Sequence, residues 1–466
     1  MLLALAAALG IVVEDHAALR AEPRSGAAEL ATLWQGDLLE IRGERAGYLK
    51  VYDHRRERGG YLRSNALRPA GLEEADAPEL LAVLRFLSER PGSEALGISY
   101  GAAYLRAAPA RALTAEPFDA IAGMAERLAD RASGNAARHA DLAAHLEVVR
   151  QFGIEMRAFD LNGRMQVCYE GDLWRRVLAM PAASAAERAQ AALGLTRPDC
   201  IDPGVGALLR ASVDEDRRSM LERVDEQPLA PLLRSRLHAR RALVWAAVAY
   251  GRARRGEPPG GAGQHALAEL LAVHPDDLGD DRRAEYLDAL VRVAATRWAA
   301  APSAAPVGPL TLAAAPGEPG QTCITLTDGR GSGAPVARRC TYGIVWTASA
   351  QPIAQGRALV LAVQPLESWR ELWVFHPSGA RWTVDVISPG LDDPEEGYVE
   401  FAGFAPATRR LLVAREVKEH GHFHRRFEEL RLDDLALVRQ ASRPELLADF
   451  GRWQDVAWRR DTLALH

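Results

Sequence analysis

The sequence predicts a multidomain α and β protein: a small N-terminal β-barrel, an all-helical middle domain and a β-rich C-terminal domain. Three observations carry this reading. Apolar and polar residues alternate through residues 11–70; apolar residues recur at three and four spacings through 71–300; and beyond a Pro- and Ala-rich stretch at 301–320 the period returns to two through 321–466. A chain of 466 residues with 48% hydrophobic and 26% charged side chains can bury roughly two to four cores. The same composition excludes disorder and coiled coils.

Residues 1–10 are an apolar run ending in small residues. The run is shorter than the roughly 20 residues of a membrane helix. It matches the apolar core of a secretory signal peptide, although the positive residues that usually precede that core are missing. The alternative is a buried first strand or helix. No later stretch suits a membrane helix, since even residues 242–250 are flanked by Arg240, Arg241 and Arg252. The four cysteines fall as two local pairs, Cys168 with Cys200 and Cys323 with Cys340, and neither pair has zinc-knuckle or thioredoxin spacing. In an oxidising compartment each pair closes a loop, contributing about 3–4 kcal/mol on the chain-entropy account. Four unpaired buried thiols of a cytosolic protein are the alternative. Together these features favour a periplasmic, exported protein with no integral membrane segment.

Within 11–70, alternation through Leu38–Ile41 and Tyr48–Val51 is punctuated by Gly36-Asp37, Gly43, Gly47 and Gly59-Gly60, the pattern of short strands and turns. The segments Ala18-Leu19-Arg20-Ala21-Glu22-Pro23, Leu33-Trp34-Gln35-Gly36-Asp37, Gly47-Tyr48-Leu49-Lys50-Val51 and Gly59-Gly60-Tyr61-Leu62 follow one another in the order of the bacterial SH3 (SH3b) signatures, and this region resembles that family. Ala18-Leu19-Arg20 stands where the family usually has Asn-Val-Arg. The resemblance implies an SH3-like barrel, an exported interaction module, and a ligand groove lined by Trp34, Tyr48 and Tyr61.

From 71 to 300, Ala, Leu, Glu and Arg dominate. The spacing predicts helices at 77–89, 117–132, 136–152, 171–180, 184–194, 214–224, 228–254, 264–273 and 280–300. Ser184 with Glu187 is a capping-box candidate, and Pro117 suits a first helical turn. No fixed repeat period recurs. Residues 159–169 break the pattern: Asn162-Gly163 is a tight-turn dipeptide followed by a strand-like run, which predicts a hairpin pinned through Cys168.

The 301–320 stretch, with five prolines, reads as an extended linker. Beyond it strands are predicted at 323–327, 342–346, 358–363, 371–375, 382–387, 398–401, 411–417 and 427–432. Phe404-Ala405-Pro406, Leu411-Leu412-Val413 and Phe427–Leu432 resemble one blade of a TolB-type β-propeller, with Ala407-Thr408 in place of the usual Asp-Gly. At roughly 40 residues per blade this region is too short for a closed ring, so an open propeller-like sheet or a β-sandwich is expected.

Candidate chemistry is sparse. Gly97-Ile98-Ser99-Tyr100-Gly101 matches the nucleophile-elbow pattern, but no buried strand precedes it, and Ser99 reads better as a helical residue whose flanking glycines permit close packing. His420, His422 and His424 alternate, which in a strand places them on one face as possible metal ligands. His422-Phe423-His424 resembles the His-x-His of LytM-type zinc endopeptidases, yet no His in the chain is followed four residues later by Asp. A hairpin loop explains the run more simply. Cys168 lacks the Asp-Cys-Ser setting of NlpC-type peptidases. The acidic stretch 392–396 reads as a solvated turn. Trp369, Trp373, Trp382, Trp453 and Trp458 are either an exposed stacking surface or, the favoured reading, fillers of a sheet core.

With 57 basic and 62 acidic residues, the net charge of −5 gives no basic excess for nucleic acid. No motif implies a cofactor. The expected function is therefore a binding or scaffolding protein of the cell envelope, contacting a cell-wall polymer or an envelope protein or peptide through the SH3b-like module. The competing class is an envelope hydrolase with an unrecognised active site, metal-dependent through His422 and His424.

Overall fold

The computed structural model describes residues 8–134, 140–161, 163–301, 309–329, 334–379, 381–390 and 396–461. Two units form, Met1–Ala207 with Arg223–Leu229, and Leu208–Glu222 with Ala230–His466. The helices of the 71–300 stretch are thus shared between them.

The first unit begins with seven strands: β1 (Ala8–Val12), β2 (Ala17–Arg20), β3 (Glu29–Leu33), β4 (Leu38–Arg45), β5 (Tyr48–Asp53), β6 (Arg58–Arg63) and β7 (Leu67–Ala70). They make one antiparallel sheet in the order β3-β2-β6-β5-β4-β1-β7, whose hydrogen-bonded path ends at β3 and β7. The strands anticipated between residues 11 and 70 are present, but the sheet is not a closed barrel. Residues 8–10, read from the sequence as the end of a leader, belong to β1, which pairs with β4 on one side and β7 on the other; residues 1–7 lie outside the described residues. Alternation sends Leu19, Leu33, Leu39, Val51 and Leu62 to one buried face.

Six helices follow: α1 (Ala77–Ser88), α2 (Glu94–Ala107), α3 (Glu116–Ala132), α4 (Ala140–Arg150), α5 (Asp172–Ala179) and α6 (Ala185–Leu195). Pro117 lies in the first turn of α3, and the Ser184–Glu187 capping box opens α6 in both directions. The predicted hairpin is β8 (Met156–Leu161) and β9 (Arg164–Tyr169), and Asn162 itself lies outside the described residues. α2 was not among the helices that periodicity predicts. It crosses α3 so closely that a Cβ at Gly101 would come within 2.5 Å of Ile121.

In the second unit, α7 (Ala207–Glu222), α8 (Pro231–Arg254), α9 (Gly260–Leu271) and α10 (Asp280–Thr296) accompany two sheets. The smaller contains β10 (Leu310–Pro316), β11 (Thr322–Asp328) and β12 (Pro335–Thr341) in sequential order. Part of the stretch read as linker is therefore a strand, because its backbone pairs with β11 along Leu310–Pro316; residues 302–308 lie outside the described residues. The larger sheet has eight strands: β13 (Ile344–Ile353), β14 (Ala358–Leu366), β15 (Trp369–Ser378), β16 (Arg381–Ile387), β17 (Gly397–Ala405), β18 (Arg410–Glu419), β19 (His422–Arg431) and β20 (Leu437–Ala441). Two short helices follow, α11 (Ala448–Trp453) and α12 (Val456–Asp461).

The large sheet forks. β15 pairs with β17 in parallel through only Trp369–Gly397 and Arg370–Tyr398, while from Leu372 onward the same strand pairs with β16. One side of β14 and β15 shares an apolar core with the small sheet through Leu359, Leu361, Trp373, Phe375, Ile324 and Leu326. The other side meets helices through charge. Arg370, fully buried, donates to the Ala294 carbonyl of α10 and to Glu400, which is also ion-paired with Arg297 at 2.8 Å. Arg292 joins Glu367 at 3.1 Å and Glu396 at 2.8 Å, and Lys418 joins Asp288 at 3.0 Å. Buried ions need such pairing, since one left alone costs several kcal/mol.

Candidate functional site

In the N-terminal sheet, β5 and β6 turn Leu49, Val51 and Leu62 toward the core. Their neighbours in sequence face the other way. Directly opposed residues share a face. Tyr48 opposes Arg45 on β4 and Arg63 on β6; Lys50 opposes Tyr61, which opposes Arg20 on β2. Two adjacent rows result, Arg45-Tyr48-Arg63 and Lys50-Tyr61-Arg20. Arg45, Lys50 and Arg63 are exposed, Arg20 and Tyr61 half-buried, and Tyr48 buried. Among the described residues none of the four cations has a carboxylate within ion-pair distance; Arg20 donates to the Ala27 carbonyl at 2.9 Å. The next row holds Tyr52 and Glu40. Hydrogen bonds from Arg42 and His54, each 2.8 Å long, hold the Glu40 carboxyl below its ordinary range. Glu29 opposes Arg20 at the end of its row; the face thus sets four cations, none with a carboxylate among the described residues within ion-pair distance, around the half-buried ring of Tyr61, with Tyr48 buried beneath. Such a surface attracts anions and stacks on apolar or sugar faces.

Tyr48 and Tyr61, the tyrosines that sequence reasoning selects, are neighbours here on the diagonal of one face. Trp34 is not with them. It follows β3, its amide donates to Asp37 at 3.0 Å, and its ring packs against His16 and His145 with centroids 4.3 and 6.0 Å away. Its other neighbours are in the helical core with Leu84 and Val148. The Gly36-Asp37 turn thus directs the ring inward, and Trp34 serves packing rather than a groove. Arg20, Arg45, Lys50 and Arg63 escaped sequence reasoning. Alternation places Lys50 and Arg63 opposite the core, but only the pairing register shows that all four surround the tyrosines.

The other candidates resolve as follows. His420 (φ 52°) and Gly421 (φ 80°) are the two-residue turn between β18 and β19, both in the left-handed region that such a turn requires. His422 and His424 are exposed on β19, opposite Glu419 and Val417. Among the described residues no group of three or more His, Cys, Asp or Glu side chains is placed to hold a metal ion. Both cysteine pairs are disulfides. Cys168–Cys200 ties β9 to the turn Pro198–Cys200, and Cys323–Cys340 joins directly opposed positions of β11 and β12. Cys168 is therefore no thiol nucleophile. Ser99 lies inside α2, buried, with no hydrogen-bond partner for Oγ, and is not at an elbow. Residues 392–395 lie outside the described residues, and Glu396 is paired with Arg292 and Lys418. Trp369, Trp373 and Trp458 are buried and Trp382 and Trp453 partly so, all as core fillers.

No protein-family model matches the chain, and none of the curated proteins or solved structures compared with it matches either.

Proposed function

We propose that the chain is an exported binding protein of the cell envelope whose N-terminal unit is an SH3b-like module, using the Tyr48–Tyr61 face to hold an anionic cell-wall polymer. The supporting observation is the pair of rows that sets Arg20, Arg45, Lys50 and Arg63 around two tyrosines, with no carboxylate among the described residues within ion-pair distance of any of the four, although Glu29 opposes Arg20. Carboxylate or phosphate groups spaced along a polymer would meet the cations, and sugar or peptide faces would lie on Tyr61. Export is supported by the two disulfides, which persist in oxidising compartments. Among the described residues no helix is long and apolar enough to cross a membrane.

The test is co-sedimentation of the oxidised protein with purified sacculi at low and high salt. Exposed ion pairs contribute roughly 0.2–1 kcal/mol each, so the triple variant R45A/K50A/R63A is expected to bind about tenfold more weakly at low salt. Tyr61→Ala is expected to weaken binding without changing its salt dependence. Acidic peptides serve as the second arm, and a protein that binds them but not sacculi identifies a peptide as ligand. Salt-independent binding, or full retention by the triple variant, would overturn the proposal.

A further inference from the structure

The second unit holds a cavity of about 310 Å³. It opens at the fork of the large sheet, where Leu372 of β15 and Val399–Phe401 of β17 part just beyond their last pairing. The turn after α10, with Arg297 and Trp298, forms one wall, and Asp455 and Trp458 form another. The volume is at the small end of the usual range for ligand pockets, and the mixture of apolar floor and few polar groups is their usual make-up.

The polar groups are not equivalent. Ser349 is spent on the sheet: its hydroxyl donates to the Trp346 carbonyl at 2.6 Å and accepts from the Ala362 amide at 2.7 Å. Glu400 is spent on cations. Burial works against its charge, but Arg297 and Arg370, each 2.8 Å away, outweigh it and hold the carboxyl below its ordinary range, while Trp458 Nε1 donates to the second oxygen. Asp455 differs. Oδ2 accepts from the Gln351 amide at 3.0 Å and Oδ1 from the Trp458 backbone amide at 2.9 Å, both neutral donors. Among the described residues it has no cationic partner. The cavity therefore presents a fixed carboxylate, oriented by two hydrogen bonds, at the rim of an apolar floor.

We infer that this cavity binds a small amphipathic amine, its apolar body against Val360, Leu372 and Phe401 and its ammonium on Asp455. This site lies in a different unit from the polymer-binding face and stands or falls independently of it. An ammonium fits better than a neutral donor because the carboxylate lacks a counter-charge. It fits better than an anion, because the cation of the cavity wall, Arg297, is already paired with Glu400, while Asp455 is not paired with a cation among the described residues.

Phenethylamine, 2-phenylethanol and 3-phenylpropionate are matched probes for calorimetric titration of the full oxidised chain. The amine is expected to bind at least tenfold more tightly than the alcohol, and the carboxylate more weakly than either. Asp455→Asn keeps a capping side chain at the start of α12 and is expected to erase the preference for the amine while sparing alcohol binding. Leu267→Trp, filling the cavity from α9, is expected to abolish binding of all three with an unchanged circular dichroism spectrum. The inference is overturned if none of the probes binds saturably, if the alcohol or the carboxylate matches the amine, or if Asp455→Asn binds the amine as well as the parent.

Discussion

Replacing Glu416 by Gln should stabilise the second unit at alkaline pH and change little in acid. Glu416 is 1% exposed on β18; Oε2 accepts from the Tyr398 hydroxyl at 3.1 Å, and Oε1 has no partner. Burial raises its pKa to about 7; the charge of Arg425 on the adjacent strand and the Tyr398 hydrogen bond pull it down, and Glu400 adds a like charge. Tyr286 of α10 also faces it. A carboxyl moved from near 4.5 to about 7 by folding makes the ionised folded state roughly 3 kcal/mol less favourable. The folded chain binds the proton more tightly than the unfolded one. The associated stability is thus fully present below about pH 4.5 and lost as pH rises through about 7. The amide cannot ionise and still accepts from Tyr398, so it escapes this loss. Eight of the ten tryptophans lie in the second unit, which makes their fluorescence a reporter of its unfolding in urea. The E416Q advantage should be near zero at pH 4, about 1 kcal/mol at pH 5 and about 3 kcal/mol at pH 8. A pH-independent difference, or a variant less stable than the parent at pH 8, would refute the reasoning and show that Arg425 holds an ionised Glu416.

Two further predictions concern packing and cross-links. Gly101→Ala should destabilise the first unit by about 1–3 kcal/mol, because its methyl would meet the Ile121 side chain, whereas Gly123→Ala on α3, with only the Arg127 guanidinium nearby, should be neutral or stabilise by up to about 1 kcal/mol; urea midpoints decide. In denatured, non-reduced protein made in an oxidising compartment no thiol should react with maleimide, and Cys323→Ser with Cys340→Ser should cost about 3 kcal/mol; four reactive thiols would refute the disulfides.

Legibility in the sequence followed the physics of each signal. Amphipathic periodicity found α1 and α3, whose buried residues repeat on one side. It did not mark α2, although the glycines flanking Ser99 indicated a closely packed helix there: Gly97 and Gly101 sit on the buried side in place of large apolar residues, as close approach to α3 requires. Alternation found β14, β15 and β18 but not β12 or β20, which bury no residue fully and so carry no apolar pattern. Periodicity names a buried face and not its partner, so it could not divide the helices between units. The docking of α10 rests on Arg292, Arg370 and Glu400, charges that a pattern of apolar residues does not register. The site divides the same way: the tyrosines were visible as motif residues, and the cations around them depend on cross-strand register.

The position of β1 bears on the order in which the first unit assembles. Gly10 pairs with Leu39 in one direction and with Pro69 in the other, so β1 is held on both sides by strands that come later in the chain. Local hairpins such as β5–β6 close a short loop and can form while synthesis continues. β1 can pair with β4 before β7 exists, but both of its pairings are distant and carry the larger closure entropy. Until residue 70 is available, β1 is an open edge held by β4 alone, and β7 is the strand that covers it.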